Sequence, residues 1–278
     1  MYSNTMLKTT INRPKWQILD ATTIKLIAIV LMVSDHIHQM WASAGAPVWL
    51  SILGRPVFPI FLFVAAESFH YTHSKKKYLK RMLFASWGMT IFTLLLQKLV
   101  PNENVALMNN AFSTFFITGL YMLFWDWFVE GIKNKAPKKI MKAILFGFIP
   151  ILCTIPYLTV SMLVTNENTS AFVLKSLVLF TMFIPNILTV EGGYLMVIIG
   201  LLFYIFRKHR VIQVVILLFV SAILHIADPS GDIQWLMCLA VIPMVLYNGE
   251  RGHGMKNFFY VFYPAHIGLL YLISTFIR

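Results

Sequence analysis

Charged residues are scarce in this sequence, and acidic residues are scarcer than basic ones. Only 12% of the 278 residues are charged, with 11 Asp or Glu against 23 Lys or Arg. A soluble globular domain has about 25% charged residues, so the composition argues against a soluble protein. Hydrophobic residues make up 58% of the chain and the mean hydropathy is +0.73. These values are typical of a polytopic membrane protein.

Cysteine is almost absent as well. Cys153 and Cys238 lie far apart, each within an apolar stretch. Neither a disulfide framework nor a metal-binding spacing is visible, so we expect packing cysteines and no metal site. The first residues, MYSNTMLKTTINRPKWQ, also lack the apolar core of a secretory signal. We therefore expect the first apolar run to remain as a membrane span.

Apolar runs recur along most of the chain, and a span needs about 20 apolar residues. We predict an all-α, polytopic transmembrane helix bundle that forms a single domain over residues 1–278, with nine spans. The stretch 171–190 contains Lys175, Pro185 and Asn186 and is predicted to be re-entrant or broken. Ten spans, with this stretch crossing, are the alternative. The nine predicted spans are 24–41, 48–69, 78–98, 111–129, 143–163, 193–206, 211–227, 233–247 and 257–275.

Basic clusters alternate with uncharged or acidic connections between the apolar runs. The clusters are MLKTTINRPK, SKKKYLKR, IKNKAPKKIMK, RKHR and ERGHGMK, whereas WASAGAPVW, NENTS and DPSGD contain no Lys or Arg. This alternation follows the positive-inside rule and predicts a multi-pass protein of the cell membrane with a cytoplasmic N-terminus. The net charge of +12 is therefore assigned to membrane topology and membrane lipids, and no nucleic-acid partner is expected.

Ionisable side chains fall inside the predicted spans, where they are expected to face the bundle interior and to have partners. Asp35 and His36 lie near the outer end of the first span. Arg55, at the outer end of the second span, is expected either to pair with Asp35 or to lie at the membrane interface. Glu67 precedes His70 by three residues, a spacing that allows an acid–base pair or an internal salt bridge.

Groups that can bind an anion are expected at the cytoplasmic ends of the spans. Five basic residues lie in Lys75–Arg81, although contact with anionic lipid would also account for them. The loop from Asn248 to Gly254 is rich in glycine. Its backbone amides and Arg251 could hold phosphate, with Lys256 beside them.

Polar aromatic residues recur on the last predicted span. Tyr260, Tyr263 and His266 follow one another at intervals of three residues and so lie close to one helix face. Pro264 interrupts the backbone hydrogen bonds of the same segment. So much hydrogen-bonding capacity is not expected on a lipid-facing surface, and we expect this face to point inward.

Four stretches together resemble the TraX family of integral membrane proteins. They are KLIAIVLMVSDHIH, GRPVFPIFLFVAAESFHYTHSKKKYLKR, the Gly192–Gly193 pair, and YNGERG followed by FFYVFYPAHIGLL. The family is named for the enzyme that acetylates the N-terminus of conjugative pilin. It is distantly similar to membrane acyltransferases that move acetyl groups from acetyl-CoA onto surface glycans. By position, the resemblance assigns family motifs to Asp35, His36, Gly54, Arg55, Phe58, Pro59, Asn248, Gly249, Arg251, Tyr263, Pro264 and His266.

The resemblance, together with the polar residues, implies an acetyltransferase. It would move an acetyl group from acetyl-CoA to an amine or hydroxyl of a peptide, glycan or small-molecule acceptor. His36 is the predicted base, Asp35 would hold its tautomer or stabilise the imidazolium, and Arg55 would steady Asp35 or the developing oxyanion. Because His36 lies nearer the outer face than the cofactor, either the pantetheine arm reaches deep into the bundle or His266 or His70 performs the first step.

The predicted cofactor site consists of cytoplasmic basic groups and a path into the bundle. Its residues are Arg251, Lys256, Asn248, Gly249 and Arg81 for the CoA phosphates, and Glu67, Tyr263 and His266 along the pantetheine arm.

Two other classes of function stay open. A secondary transporter would also need polar groups in broken spans, although no inverted repeat is visible. In a non-enzymatic assembly factor, the outer segment 165–191 would bind the partner.

Overall fold

The computed structural model describes residues 14–164, 169–228 and 231–277, and this part of the chain is helical, with no strand and one isolated bridge between Leu19 and Tyr247. Twelve α-helices occur in the described part. They are α1 Ala21–Trp41, α2 Trp49–Gly54, α3 Val57–His70, α4 Lys75–Leu99, α5 Ala111–Lys133, α6 Pro137–Leu152, α7 Ile155–Val164, α8 Ala171–Met182, α9 Gly193–Ile205, α10 Arg210–Ala227, α11 Val241–Leu246 and α12 Lys256–Phe276. A 3₁₀ helix, Gln234–Ala240, leads directly into α11.

Seven helical segments are long and apolar enough to cross a membrane, fewer than the nine or ten that the sequence predicts. The two other predicted spans are also helical, as α9 and as Gln234–Leu246, but both are short. The stretch 171–190 forms α8, which ends at Met182 before Pro185. The seven long segments are Ala21–Ala44, Trp49–His70, Lys75–Leu99, Ala111–Lys133, Pro137–Val164, Arg210–Ala227 and Asn257–Phe276.

Polar side chains fix the first turns of three long helices. The Asp20 carboxylate accepts the Thr23 N–H at 2.7 Å, and this bond lowers the pKa of Asp20. Ser74 accepts the Lys77 N–H in the same way at α4. Asn110 caps α5 by accepting the Ser113 N–H. Each side chain satisfies a backbone donor that has no partner inside its helix.

The centre of the bundle is formed by α3, α5 and α9. Phe63, Phe69, Phe203 and Tyr204 are fully buried there. A second apolar cluster, around Ile267 and Tyr271, joins α12 to α1 and α4. Helix α1 contributes to both clusters, with Ile24 and Ala28 in the first and Ile29 and Met32 in the second.

Helices α6, α7 and α8 expose large apolar side chains over most of their surface. In a membrane protein, lipid covers such a surface. It is therefore the helices around α1, α3, α4 and α12 that enclose the interior of the molecule. Examples of the exposed side chains are Leu145, Phe148, Leu152, Met162, Phe172 and Phe180.

Candidate functional site

A cavity of about 990 Å³ extends through the interior of the bundle. One face of α1 lines it along much of its length, with Thr22, Lys25, Ile29, Met32 and His36 in turn. Helical rise places His36 about 21 Å from Thr22 along the axis of α1. The cavity therefore connects the beginning of α1 with a site deep in the bundle.

Most of the predicted site residues line this cavity. His266 is absent from its lining but contacts His36, and Asn248 lies in the adjoining loop. The side chain of Lys256 lies outside the described part of the chain. The predicted residues that line the cavity are Asp35, His36, Arg55, Glu67, Arg81, Gly249, Arg251 and Tyr263.

A buried histidine pair lies at the end of the cavity that is remote from Thr22. His36 Nδ1 and His266 Nε2 are 2.7 Å apart, and the two side chains are 4% and 7% exposed. The two ring planes lie within 16° of each other with their centroids 4.9 Å apart, and the Phe262 ring stacks on His266 at 4.8 Å. Packing therefore holds both rings in one orientation.

The hydrogen bonds of this pair indicate the tautomer of each ring. His266 Nδ1 lies 2.8 Å from the Phe262 carbonyl oxygen, which can only accept, so Nδ1 of the neutral ring carries the proton. His266 Nε2 must then accept from His36 Nδ1. This assignment leaves the lone pair of His36 on Nε2, the atom with which it would act as a base. Asn109 Nδ2 lies 3.5 Å from that atom and belongs to a reciprocal amide pair with Gln39.

The prediction that Asp35 holds the tautomer of His36 is wrong, because the Nδ1 partner of His36 is His266. Adjacent residues on a helix point about 100° apart, so Asp35 faces a different neighbour. Its carboxylate accepts from Arg55 Nη2 at 2.8 Å and from Ser51 Oγ at 3.0 Å. Arg55 also donates to Gln234 Oε1 at 3.2 Å. The predicted pairing of Asp35 with Arg55 is confirmed.

Glu191 is a cavity residue that the sequence interpretation missed. Its Oε2 atom accepts from the Tyr263 hydroxyl at 2.9 Å and from the Asn110 N–H at 2.7 Å. The next two residues, Gly192 and Gly193, have φ angles of +76° and +64° and begin α9. Glycine adopts this conformation without strain, so the Gly–Gly turn places Glu191 inside the bundle. That turn was the available sequence signal.

The loop before α12 is bound to the beginning of α1. Thr22 Oγ1 lies 2.6 Å from the His253 carbonyl oxygen and 3.1 Å from that of Arg251. Asn248 donates its N–H to the Leu19 carbonyl, while its side-chain oxygen accepts the Glu250 N–H. Asn248 thus supports the loop, whereas Gly249 and Arg251 line the cavity.

The pairing of Glu67 with His70 does not form. His70 is exposed and its ring contacts Tyr71, while Glu67 lies 3.9 Å from Arg210 across the helix interface. Arg210 belongs to α10, and the sequence of α3 does not show that α10 packs against it. His70 is therefore outside the cavity, and Glu67 remains on its wall.

Most of the predicted basic cluster Lys75–Arg81 also lies away from the cavity. Lys75 pairs with Asp126 of α5, and Tyr204 donates to the same carboxylate. Within the cluster, Arg81 is the basic residue on the cavity wall. Lys25, which was not predicted, adds a positive group at the same end as Arg251.

A helical membrane protein with a long interior cavity that ends at a buried histidine pair is the class that this fold and site define. The sequence model of the TraX protein family matches residues 20–164 and 137–274. The two matches together cover most of the chain, and the chain belongs to the TraX family. The resemblance found in the sequence is confirmed.

A relative of similar length comes from Dichelobacter nodosus and is named "Probable fimbrial assembly protein FimC, serogroup H1". It is 24% identical over 272 residues, which cover 93% of this chain and 97% of the relative. No solved structure matches the chain significantly.

Proposed function

We propose that this TraX-family protein is an acetyl-CoA-dependent acetyltransferase whose acceptor is an amine or hydroxyl of a peptide or cell-surface molecule. The observation that carries the proposal is the continuity of the cavity. Arg251 and Lys25 line one end, and His36 lies at the other, about 21 Å along α1 from Thr22, which contacts the Arg251 carbonyl. A long, thin donor with an anionic head could therefore bind at the basic end and reach the histidine pair.

The basic end of the cavity suits the phosphates of CoA. Lys25, Arg81 and Arg251 line it, together with His253 of the loop. Glu67 lies on the same wall, and its negative charge is offset by the positive charge of Arg210. Charge-assisted hydrogen bonds from lysine and arginine are well suited to bind phosphate. Lys256 remains part of this prediction.

Acyl transfer requires a base and a positioned thioester. Bound acetyl-CoA supplies the thioester carbonyl. His36 accepts the acceptor's proton on Nε2, and His266 holds the opposite nitrogen of the same ring. Arg55 fixes Asp35 and keeps one Nη1 hydrogen beyond its four bonds to described residues, so it can stabilise a developing oxyanion. His70 is omitted from the mechanism because it lies off the cavity.

Calorimetry and turnover with the purified protein test this proposal. We expect Arg251→Ala to weaken acetyl-CoA binding and His36→Ala to retain it. His36→Ala should nevertheless lower acetyl transfer about 10²- to 10⁴-fold, the usual contribution of a general base. His225→Ala, which changes an exposed histidine of α10, is the matched control. Wild-type protein that does not bind acetyl-CoA, or unchanged turnover in His36→Ala, would refute the mechanism.

We also propose nine crossings with a cytoplasmic N-terminus. Contacts between helix ends support this count, because Lys75 meets Asp126 and Glu67 approaches Arg210. Glu67 lies near the end of α3 and Arg210 at the beginning of α10, so the beginnings of α4 and α10 lie on the same side of the bundle. Between them, α4, α5 and the α6–α7 segment supply three crossings, and the short α9 supplies the fourth that this placement requires. A reporter fused after Arg210 should then be cytoplasmic. An external signal would mean either that α9 does not cross the membrane or that 171–190 also crosses it.

A role in fimbrial assembly without catalysis is the second candidate, and the name of the relative from Dichelobacter nodosus favours it. In that case the histidine pair would be structural. Substitutions of His36 would then lower the melting temperature without producing a stable, inactive protein. A folded His36→Ala variant that binds acetyl-CoA but does not transfer the acetyl group would reject this candidate.

A further inference from the structure

Three carboxylates of the described residues line the cavity, and two of them have a cationic partner. Asp35 is paired with Arg55 at 2.8 Å, and Glu67 faces Arg210 at 3.9 Å. Glu191 differs, because among the described residues its hydrogen-bond donors are the neutral Tyr263 hydroxyl and the Asn110 N–H. Both donors bind Oε2 and leave Oε1 without a partner in the described part. An uncompensated carboxylate at an interior site is costly.

Tyr263 links the carboxylate of Glu191 to the histidine pair. Tyr263 donates to Glu191, and its ring centroid is 6.5 Å from that of His36 and 5.9 Å from that of His266. Glu191 and His36 line the same cavity. A ligand group bound between them would therefore meet an anionic oxygen on one side and the lone pair of His36 on the other.

We infer that Glu191 binds the acceptor as a protonated primary amine and removes its first proton, leaving His36 to remove the second. This inference rests on the proposed acetyltransferase function and adds the residue that would hold an amine acceptor in its charged form. A hydroxyl acceptor needs only one base, whereas an ammonium group must lose one proton before it can attack and another as it is acylated. Among the described residues, Glu191 is a cavity carboxylate without a cationic partner and can take the first proton, and His36 Nε2 can take the second.

The proposed steps balance. The ammonium group gives a proton to the Glu191 carboxylate and becomes a neutral amine. The amine nitrogen then forms a bond to the thioester carbonyl carbon, the C–S bond breaks, and His36 Nε2 takes the second proton. His36 returns that proton to the departing thiolate, and Glu191 releases the first to solvent. The products are an amide, a thiol and one proton.

Asp35 and His36 of α1 and Tyr263 of α12 are titratable groups that line the cavity with Glu191, while His266 contacts His36 from outside the lining. Arg55 compensates Asp35, so the remaining negative charge on this part of the wall belongs to Glu191. Glu191 also accepts the N–H of Asn110 at the beginning of α5, a structural role that a glutamine would retain through its amide oxygen. The variant Glu191→Gln therefore removes the charge while keeping these hydrogen bonds.

Peptide binding measured by calorimetry in nanodiscs tests the inference without relying on turnover. The probe is trialanine amide, and N-acetyl-trialanine amide serves as the uncharged control. We expect the wild-type protein to prefer the free amine by about 10- to 100-fold, the range for a hydrogen bond to a charged group. Glu191→Gln should abolish this preference. Glu103→Gln, which changes an exposed carboxylate between α4 and α5, should retain it.

The pH dependence of the wild-type protein provides a test that needs no variant. Burial raises the pKa of Glu191 to about 7, so affinity for trialanine amide should fall as the pH drops through that value. It should also fall above about pH 8, where an α-amine loses its charge. An affinity that rises steadily with pH, equal binding of both peptides, absence of peptide binding, or a preference that survives Glu191→Gln would overturn the inference. If Glu191-dependent binding occurs without acetyl transfer, the proposed enzyme function fails and the amine site stands.

Discussion

Gly54 allows α2 to approach α1 closely, and replacing it with alanine should disrupt that approach. A Cβ atom at position 54 would lie 2.3 Å from both Cβ and Cγ of Asp35 and 2.6 Å from its Oδ1. Carbon atoms in contact are about 3.5–4.0 Å apart, so the two helices would have to separate by more than about 1 Å. That movement would also draw Asp35 away from Arg55.

The expected loss in stability follows from this overlap. Overpacking a close contact costs about 1–3 kcal/mol, and the partly exposed ion pair adds at most about 1 kcal/mol. For a chain of this size, each kcal/mol shifts the melting temperature by about 2–4 °C. We therefore expect Gly54→Ala to lower the melting temperature by several degrees.

Thermal unfolding in detergent, followed by intrinsic tryptophan fluorescence, measures this effect. Gly88→Ala is the matched control, because Gly88 is an exposed glycine within α4 and a Cβ there would have no atom within 4 Å. Alanine has the higher helix propensity, so this variant should be unchanged or stabilised by up to about 1 kcal/mol. A Gly54→Ala protein as stable as wild type would show that α1 and α2 are not packed as described.

Three further predictions concern the cavity loop and the helix ends. Thr22→Val removes the hydroxyl that contacts the Arg251 and His253 carbonyls, so calorimetry should show several-fold weaker acetyl-CoA binding with no change in charge; unchanged affinity would contradict the role of this contact. Alanine substitutions of Lys75 and Asp126 should be non-additive by about 0.5–3 kcal/mol in unfolding experiments, and strict additivity would refute their coupling. Asp20→Ala should cost about 0.5–2 kcal/mol at neutral pH. Because the pKa of Asp20 is lowered, this difference should vanish as pH falls through that pKa, and a difference that persists in acid would contradict a capping role.

The sequence predicts the long helices well because their signal is local. Seven predicted spans have counterparts in the seven long apolar segments, and the pairing of Asp35 with Arg55 follows from the short connection between the first two spans. The number of crossings does not follow from length in the same way, since the predicted spans 193–206 and 233–247 correspond to the short helical segments α9 and Gln234–Leu246. Their surroundings in the bundle, rather than their own composition, decide where they lie.

The histidine pair could not be predicted, because its members are 230 residues apart and nothing local relates them. The sequence drew attention to Asp35 as the partner of His36 only through adjacency, and helix geometry separates adjacent side chains. Glu191 was missed for a similar reason. It lies in an irregular segment whose course depends on α5 and α12, even though the neighbouring Gly–Gly pair was visible.

Two helices connect the ends of the cavity, and this arrangement relates donor binding to the reactive site. His36 belongs to α1, whose first residues bind the loop that contains Arg251. His266 belongs to α12, which begins directly after that same loop. A donor held by the loop would therefore restrain the relative positions of the helices that carry the two histidines. Because the Nδ1–Nε2 bond of 2.7 Å tolerates little displacement, changes at the loop should affect transfer as well as binding.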